Sequence, residues 1–308
     1  MKKGRFWWLA LAAVVAIGAL FVFLIAGLLA SALPRQDCVG VIHVDGEIVT
    51  GSMEGSLFSA GGAGSDDIVP LIEDAAARKE VKAMLVEINS PGGSVVGTRE
   101  IYDALLDVDK PKVSYFREMA ASGGYYIAAG TDYIVSDPAA LTGSIGVRMT
   151  AVDMSALFGK LGYNETEIKS GDMKDMGSPA RPLTDSERAV LQSIVNESFV
   201  DFKTAVERGR AGKLDEAKFS EILDARVLTG KQAKAIGLVD ETGNRKLALQ
   251  KAASLGGIRY SGDAPPVCEI KAQRSLLGGL LSSSADFTAG VVVRVLQSGG
   301  MGGLRLSS

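Results

Sequence analysis

The sequence predicts an α/β domain with a mainly parallel sheet, preceded by one membrane-spanning helix. From residue 39 onward, short β-rich runs alternate with helical patterns, as is typical of parallel strands joined by helices. Residues 83–88 are nearly all apolar, which indicates a strand buried on both faces, and Glu87 is the exception. Residues 6–33 carry no charged side chain, and 28 residues of helix are long enough to cross a hydrocarbon core.

The predicted elements follow one another closely. Strands are expected at residues 39–44, 81–89, 112–116 and 133–135, with helices at residues 66–79, 95–108 and 122–130 between them. Beyond Ala180 the pattern becomes helical. A capping-box sequence from Thr184 to Glu187 begins a long amphipathic helix, and shorter helices follow at residues 215–223, at residues 231–236 and up to Leu255. Residues 34–257 are therefore expected to form the domain, and residues 258–308, rich in Gly and Ser clusters, a flexible tail.

Composition excludes several classes of protein. The 308 residues contain 33 Lys and Arg against 36 Asp and Glu, and this balance is not that of a basic nucleic-acid binder. Two cysteines cannot staple a disulfide-rich mini-domain, and an apolar fraction of 47% excludes a long disordered chain. Whether Cys38 and Cys268 form a disulfide or remain two free thiols is left open by their spacing.

The charges around the apolar segment predict its orientation. Lys2, Lys3 and Arg5 precede the segment, and only Arg35 follows it closely. The positive-inside rule then keeps residues 1–5 in the cytoplasm and places the domain outside the cell membrane, on a single-pass anchor. A cleaved signal peptide is the alternative. The small residues at positions 30–32 favour cleavage, and an apolar stretch about twice the usual length opposes it.

Two glycine-rich turns each join a predicted strand to a predicted helix, at residues 89–94 and 119–126. Active sites of α/β proteins assemble at the carboxyl ends of parallel strands. Glycine-rich turns there leave backbone N–H groups free for an oxyanion or a phosphate. Ser122, at the start of the second helix, is placed either as a nucleophile or as an ordinary helix N-cap.

A serine nucleophile needs a base, and the sequence offers one histidine and many lysines. His43 is the single histidine and lies in the first predicted strand, so a Ser-His-Asp arrangement would have to use it. Otherwise the base is a lysine in a site that favours its neutral form. Spacing does not rank the candidates, which are Lys169, Lys174, Lys231 and Lys234.

Five segments together resemble the signal peptide peptidase A family of membrane-anchored Ser/Lys peptidases. They follow in the family's order across most of residues 38–256, and they are residues 89–94, 119–126, 142–147, 169–179 and 226–240. Because this chain contains the motif set once, it resembles the short form of the family. The resemblance implies the fold shared by Clp protease and crotonase.

The resemblance also implies roles for individual residues. Ser122 is implied as the nucleophile, Lys174 as the general base and Ser144 as the hydroxyl that orients the lysine. The backbone N–H groups of Gly93 and Gly123 are implied as the oxyanion hole. No metal or organic cofactor is implied.

Two carboxylates complicate this assignment. Asp172 and Asp175 flank Lys174 in the sequence, and a carboxylate close to an ammonium group favours its protonated form. Both must therefore point away from the catalytic dyad or pair elsewhere.

The expected function is that of a membrane-anchored endopeptidase. The resemblance implies that its substrates are membrane-associated peptides, above all signal peptides left after secretion. It also implies a homo-oligomer in which neighbouring subunits supply Ser122 and Lys174. A related membrane peptidase that cleaves stomatin-like proteins is the nearest alternative. A crotonase-type acyl-CoA enzyme and a catalytically silent membrane scaffold are the others.

Overall fold

One eight-stranded sheet and a separate two-stranded sheet organise the chain. The computed structural model describes residues 36–53 and 61–271, together with residues 7, 15–19, 21–23 and 25. The larger sheet has the strand order β10-β1-β4-β5-β6-β9, and β7 pairs with both β5 and β8. The strands are β1 Cys38–Asp45, β2 Ile48–Val49, β3 Ala63–Gly64, β4 Val81–Ser90, β5 Lys112–Ala121, β6 Tyr133–Ser136, β7 Leu141–Gly143, β8 Val227–Thr229, β9 Glu241–Thr242 and β10 Val267–Glu269.

Helices connect these strands and cover the sheet. Within residues 36–53 and 61–271 they are α1 Ser65–Ala77, α2 Val95–Leu106, α3 Gly123–Ala128, α4 Ser155–Leu161, α5 Asp185–Gly209, α6 Glu216–Glu221, α7 Gly230–Ala235 and α8 Arg245–Leu255. All described strand pairs are parallel except β7 with β8. The predicted α/β class with a mainly parallel sheet is therefore confirmed.

Both faces of the central strands are buried, as the apolar run at residues 83–88 predicted. Leu85 packs on the face covered by α8, whereas Met84 faces the larger core beneath α1, α2 and α3. Glu87 is also buried, and its carboxylate accepts a hydrogen bond from Arg245 Nε at 2.6 Å. An ion pair thus compensates the one charged side chain within residues 83–88.

The domain extends further than the sequence indicated. A tail was expected from residue 258, but β10 pairs in parallel with β1, and the N–H of Val39 donates to the carbonyl oxygen of Pro266 at 2.9 Å. A disulfide joins Cys38 to Cys268 and fixes this edge strand. Residues 267–269 thus belong to the sheet, although three residues are too few to show a β pattern in the sequence. The rest of the expected tail, from residue 272, lies outside the described residues.

The predicted membrane anchor occupies residues 6–33. Most of residues 6–33 lie outside the described residues. In the part of the chain that the structure describes, no helix has the length and apolar character needed to span a bilayer.

Residues 148–184, called here the exposed segment, differ from the rest of the domain. Most of them are exposed, including most of the short helix α4. The first half of α5 continues this exposure, since the buried apolar residues of that helix begin at Phe202. Large apolar side chains on these two elements face solvent, namely Met149, Val152, Met154, Leu157, Leu161, Tyr163, Ile168, Met173, Val190 and Ile194.

Candidate active site

The two glycine-rich turns meet at the carboxyl ends of β4 and β5, as predicted. Ser90 of β4 is paired with Ala120 of β5, so both chains leave the sheet at the same edge. A Cβ atom built on Gly92 would lie 2.7 Å from the backbone nitrogen of Gly123 and 2.8 Å from Cβ of Ser122. Only a residue without a side chain permits this approach, and its φ of +100° also favours glycine.

Ser122 occupies a strained backbone position between β5 and α3. Its φ is 52° and its ψ is −120°, a conformation that residues with a side chain rarely adopt. Its side chain makes no capping hydrogen bond to α3, so the alternative interpretation of Ser122 as an ordinary N-cap is wrong. The half-buried hydroxyl is instead exposed to a cavity of about 620 Å³.

Ser144 lies in the same cavity and in the same type of backbone conformation. It directly follows β7 and has a φ of 51°. Its backbone N–H donates to the carbonyl oxygen of Arg226 at 3.0 Å. The pairing of β7 with β5 and β8 holds this residue beside the Ser122 turn.

Gly93 and Gly123 also line the cavity. In the first turn, the residues on either side of Gly93 donate backbone hydrogen bonds: Gly92 N–H donates to Ser90 Oγ, and Ser94 N–H donates to the carbonyl oxygen of Ile48. Among the described residues, no hydrogen bond of these turns uses the N–H groups of Gly93 and Gly123. These two groups can therefore serve an oxyanion beside Ser122.

Thr98 is a cavity residue that the sequence pattern gave no reason to single out. It lies on the first turn of α2 and is 3% exposed. A Cβ on Gly123 would lie 2.5 Å from its hydroxyl oxygen, so the two residues are in close contact. In the described part of the chain, this is the one buried side-chain polar atom without a hydrogen-bond partner.

None of the candidate bases named from the sequence lines the cavity that contains Ser122 of the same chain. Lys174 is exposed, in a turn of the exposed segment where its backbone N–H donates to the carbonyl oxygen of Gly171, and it is not among the residues that line the cavity. His43 is not among them either. It lies on β1, and its Nε2 is 3.2 Å from Oε2 of Glu269.

The carboxylate of Asp175 is paired away from Lys174. It accepts a hydrogen bond from Arg181 Nε at 3.0 Å and forms a second ion pair with Lys169. These two cations, Arg181 first, lower the pKa of Asp175. The expectation that this carboxylate must pair elsewhere is confirmed.

Arg181 connects that ion pair to the start of α5. Its Nη1 donates to Glu187 Oε2 at 2.9 Å, and the same oxygen accepts the backbone N–H of Thr184 at 2.9 Å. The bonds from Arg181 and Thr184 lower the pKa of Glu187 to about 2. The capping box predicted from the sequence is present.

Comparison with known proteins identifies the family. A family model described as Peptidase family S49 matches residues 104–259, about half of the chain. The chain belongs to peptidase family S49. A second model, described as Clp protease, matches residues 64–138, in agreement with the Clp-like fold that the resemblance implied.

Relatives of this S49 chain are found in archaea and bacteria. A protein of Methanocaldococcus jannaschii named as a protease is 38% identical over 192 residues, which are 62% of this chain and 61% of that protein. A protein of Enterococcus faecium named as a signal peptide peptidase SppA is 35% identical over 205 residues, 66% of this chain and 59% of that protein. This chain thus spans about three fifths of the length of these curated relatives.

One solved structure to which this chain is similar is a mutant of a membrane-bound stomatin-specific protease. It aligns with a TM-score of 0.48 at 16% identity, over 78% of this chain and 100% of that chain.

The described residues offer no candidate metal centre. No group of three or more His, Cys, Asp or Glu side chains in this part of the chain is arranged to hold a metal ion.

Proposed function

We propose that this S49 chain is a serine endopeptidase that uses Ser122 and Lys174 as a catalytic dyad. The observation that carries the proposal is the backbone of Ser122, whose φ of 52° turns its hydroxyl into a cavity beside two glycine N–H groups. Strain of this kind costs stability and persists where a site requires it. Membership of peptidase family S49 supports peptide-bond hydrolysis as the reaction.

The mechanism follows from these groups. Lys174 Nζ, in its neutral form, accepts the proton of Ser122 while Oγ attacks the scissile carbonyl carbon. The N–H groups of Gly93 and Gly123 stabilise the negative oxygen of the tetrahedral intermediate. The lysine then protonates the departing amine, an acyl-enzyme remains on Ser122, and Lys174 activates the water that hydrolyses it. Ser144, which lines the same cavity, orients the lysine by hydrogen bonding.

The dyad is completed between subunits in this proposal. Lys174 lies on the exposed segment, outside the cavity that contains Ser122 of the same chain. The large apolar side chains exposed on that segment, of which Ile168 is 98% exposed, are suited to contact a second copy. A homo-oligomer that inserts the exposed segment of one subunit beside Ser122 of the next satisfies both observations.

The proposed substrates are membrane-associated peptides, above all signal peptides left after secretion. We propose that residues 6–33 form a single-pass anchor with residues 1–5 in the cytoplasm, which keeps the active site close to the bilayer where such peptides lie. The Cys38–Cys268 disulfide supports an extracytoplasmic domain, because disulfides persist in oxidising compartments.

Covalent labelling of the full-length protein with a fluorophosphonate probe tests the proposed reaction. We expect wild type to be labelled on Ser122 and Ser122→Ala to remain unlabelled. Ser193→Ala, which removes an exposed hydroxyl from α5, is the matched control and is expected to be labelled like wild type. Labelling that persists in Ser122→Ala, or wild type that takes no label, contradicts the proposal.

Two peptides then separate the substrate classes. A synthetic signal peptide is expected to be cleaved faster than a peptide from the apolar C-terminal region of a stomatin-like protein. The reverse order supports the alternative of a stomatin-cleaving peptidase.

A further inference from the structure

Asp175 follows Lys174 directly in the sequence, yet its carboxylate is held by two other cations of the exposed segment. Its Oδ2 accepts from Arg181 Nε at 3.0 Å, and its Oδ1 pairs with Lys169 and with Arg181 Nη2, the latter at 2.9 Å. Its side chain is only 10% exposed, so these bonds fix its orientation. Both carboxylate oxygens are thereby occupied.

Arg181 also anchors this arrangement to a regular helix. Its two Nη atoms bind the two carboxylate oxygens of Glu187, a residue that is 1% exposed in the first turn of α5. A guanidinium that bridges two carboxylates bidentately has little freedom to reorient. Arg181 therefore connects the turn that carries Lys174 to the N-terminus of α5.

We infer that Arg181 is a positioning residue that holds Asp175 away from Lys174 and so keeps the lysine of the dyad able to act as a base. The inference rests on the proposed function. A free carboxylate one residue from the ammonium group would favour the charged form, which cannot accept the Ser122 proton. With Arg181 and Lys169 in place, two cations balance Asp175 and Glu187.

Other charged groups around this cluster do not replace Arg181. Lys169 also donates to the carbonyl oxygen of Asp172, at 3.1 Å, and is thus shared between two acceptors. Other charged side chains near the cluster are Asp153, Glu165, Glu167, Asp172, Asp185 and Arg188. Arg188 and Arg181 line a second cavity, distinct from the one that contains Ser122, and Arg188 makes no side-chain bond to Asp175 among the described contacts. The removal of Arg181 consequently leaves an excess of negative charge beside the Lys174 turn.

The test is the pH dependence of kcat/KM for the full-length protein with a fluorogenic peptide. The acidic limb of the profile reports the base in the free enzyme. In Arg181→Gln we expect this limb to move to higher pH by about 1 unit. The double variant Arg181→Gln/Asp175→Asn is expected to return the limb to the wild-type position, because the carboxylate that caused the shift is gone.

Two further variants complete the design. Arg181→Lys retains the charge and is expected to keep the wild-type limb. Arg78→Gln breaks a similar Arg–Asp pair at the end of α1, far along the chain from the site, and is expected to leave the profile unchanged. A thermal unfolding curve of each variant reports whether it folds.

The outcomes separate this inference from the proposed function. An unshifted limb in Arg181→Gln overturns the inference, and so does a shift that persists in the double variant, since Arg181 would then act through structure alone. If Arg181→Gln does not fold, Lys169→Gln leaves the α5 cap intact and is expected to shift the limb upward by a smaller amount; an unshifted limb there overturns the inference. Full activity of Lys174→Ala contradicts the proposed function instead.

Discussion

The backbone N–H of Ser122 donates a hydrogen bond to the carbonyl oxygen of Gly143 at 2.9 Å. This bond ties the turn after β5 to the end of β7, one residue before Ser144. Ser122 and Ser144 have nearly equal positive φ values, 52° and 51°. The adjacent strands β5 and β7 are thus each followed directly by a serine with a strained backbone, and both serines line one cavity. The hydrogen bond between the two turns fixes the positions of the two serines relative to each other.

The strained backbone of Ser122 is expected to lower the free energy of unfolding of the wild-type protein. Ser122→Gly and Ser122→Ala both remove the hydroxyl, and only glycine adopts a φ of 52° with a ψ of −120° without steric cost. We expect both variants to be inactive and Ser122→Gly to have a free energy of unfolding about 1 kcal/mol higher than Ser122→Ala. Chemical denaturation measures the difference. Equal stability of the two variants would mean that the backbone is not strained.

The separation of Lys174 from the Ser122 cavity predicts complementation between subunits. Ser122→Ala and Lys174→Ala are each expected to be inactive alone. Unfolded together and reassembled in equal amounts, they are expected to recover about a quarter of wild-type activity, because one neighbour pair in four then combines an intact serine with an intact lysine. A mixture as inactive as either parent contradicts the shared dyad.

The unpaired hydroxyl of Thr98 predicts an unusual response to substitution. Valine has the same shape and the same branching at Cβ, so Thr98→Val removes only a buried polar group without a partner. We expect the free energy of unfolding to rise by about 1 kcal/mol. Thr98→Ser keeps the hydroxyl but loses a buried methyl group, and it is expected to be less stable than wild type by about 1 kcal/mol. Destabilisation of Thr98→Val would show that the hydroxyl has a hydrogen-bond partner.

The Cys38–Cys268 disulfide predicts a loss of stability without a loss of catalysis. It closes a loop over a sequence separation of 230, which includes most of the described domain. The double variant Cys38→Ser/Cys268→Ser is expected to lower the free energy of unfolding by about 3 kcal/mol. Its kcat/KM is expected to stay at the wild-type value. Cys38 begins β1 whereas Ser122 follows the end of β5, so the two residues lie at opposite ends of these parallel strands. A large fall in kcat/KM would show that the disulfide influences the site.

Much of the fold could be predicted because it depends on local patterns. The buried run of β4 and the capping box at Thr184 are properties of consecutive residues, and both are present in the structure. The short strands β7 and β8 depend on distant partners. The three residues 141–143 carry no periodicity, and they form a strand only because they pair with residues 119–121 and 227–229.

Some residues of the candidate site could be predicted from local sequence, and others could not. The glycine-rich turns predicted that Gly93, Ser122 and Gly123 meet, because parallel strands bring their carboxyl ends together. Thr98 could not be predicted, since a threonine in the first turn of a helix is ordinary until its missing partner is known. The ion pair between Asp175 and Arg181 could not be predicted either, because it depends on how the exposed segment folds back on itself.

The most direct test of the account is peptidase activity of the full-length protein on a short apolar fluorogenic peptide. Wild type is compared with Ser122→Ala, Lys174→Ala and His43→Ala. We expect a loss of about 1,000-fold or more in kcat/KM for the first two variants and wild-type activity for His43→Ala. Activity that survives in Lys174→Ala and disappears in His43→Ala would contradict the Ser/Lys dyad.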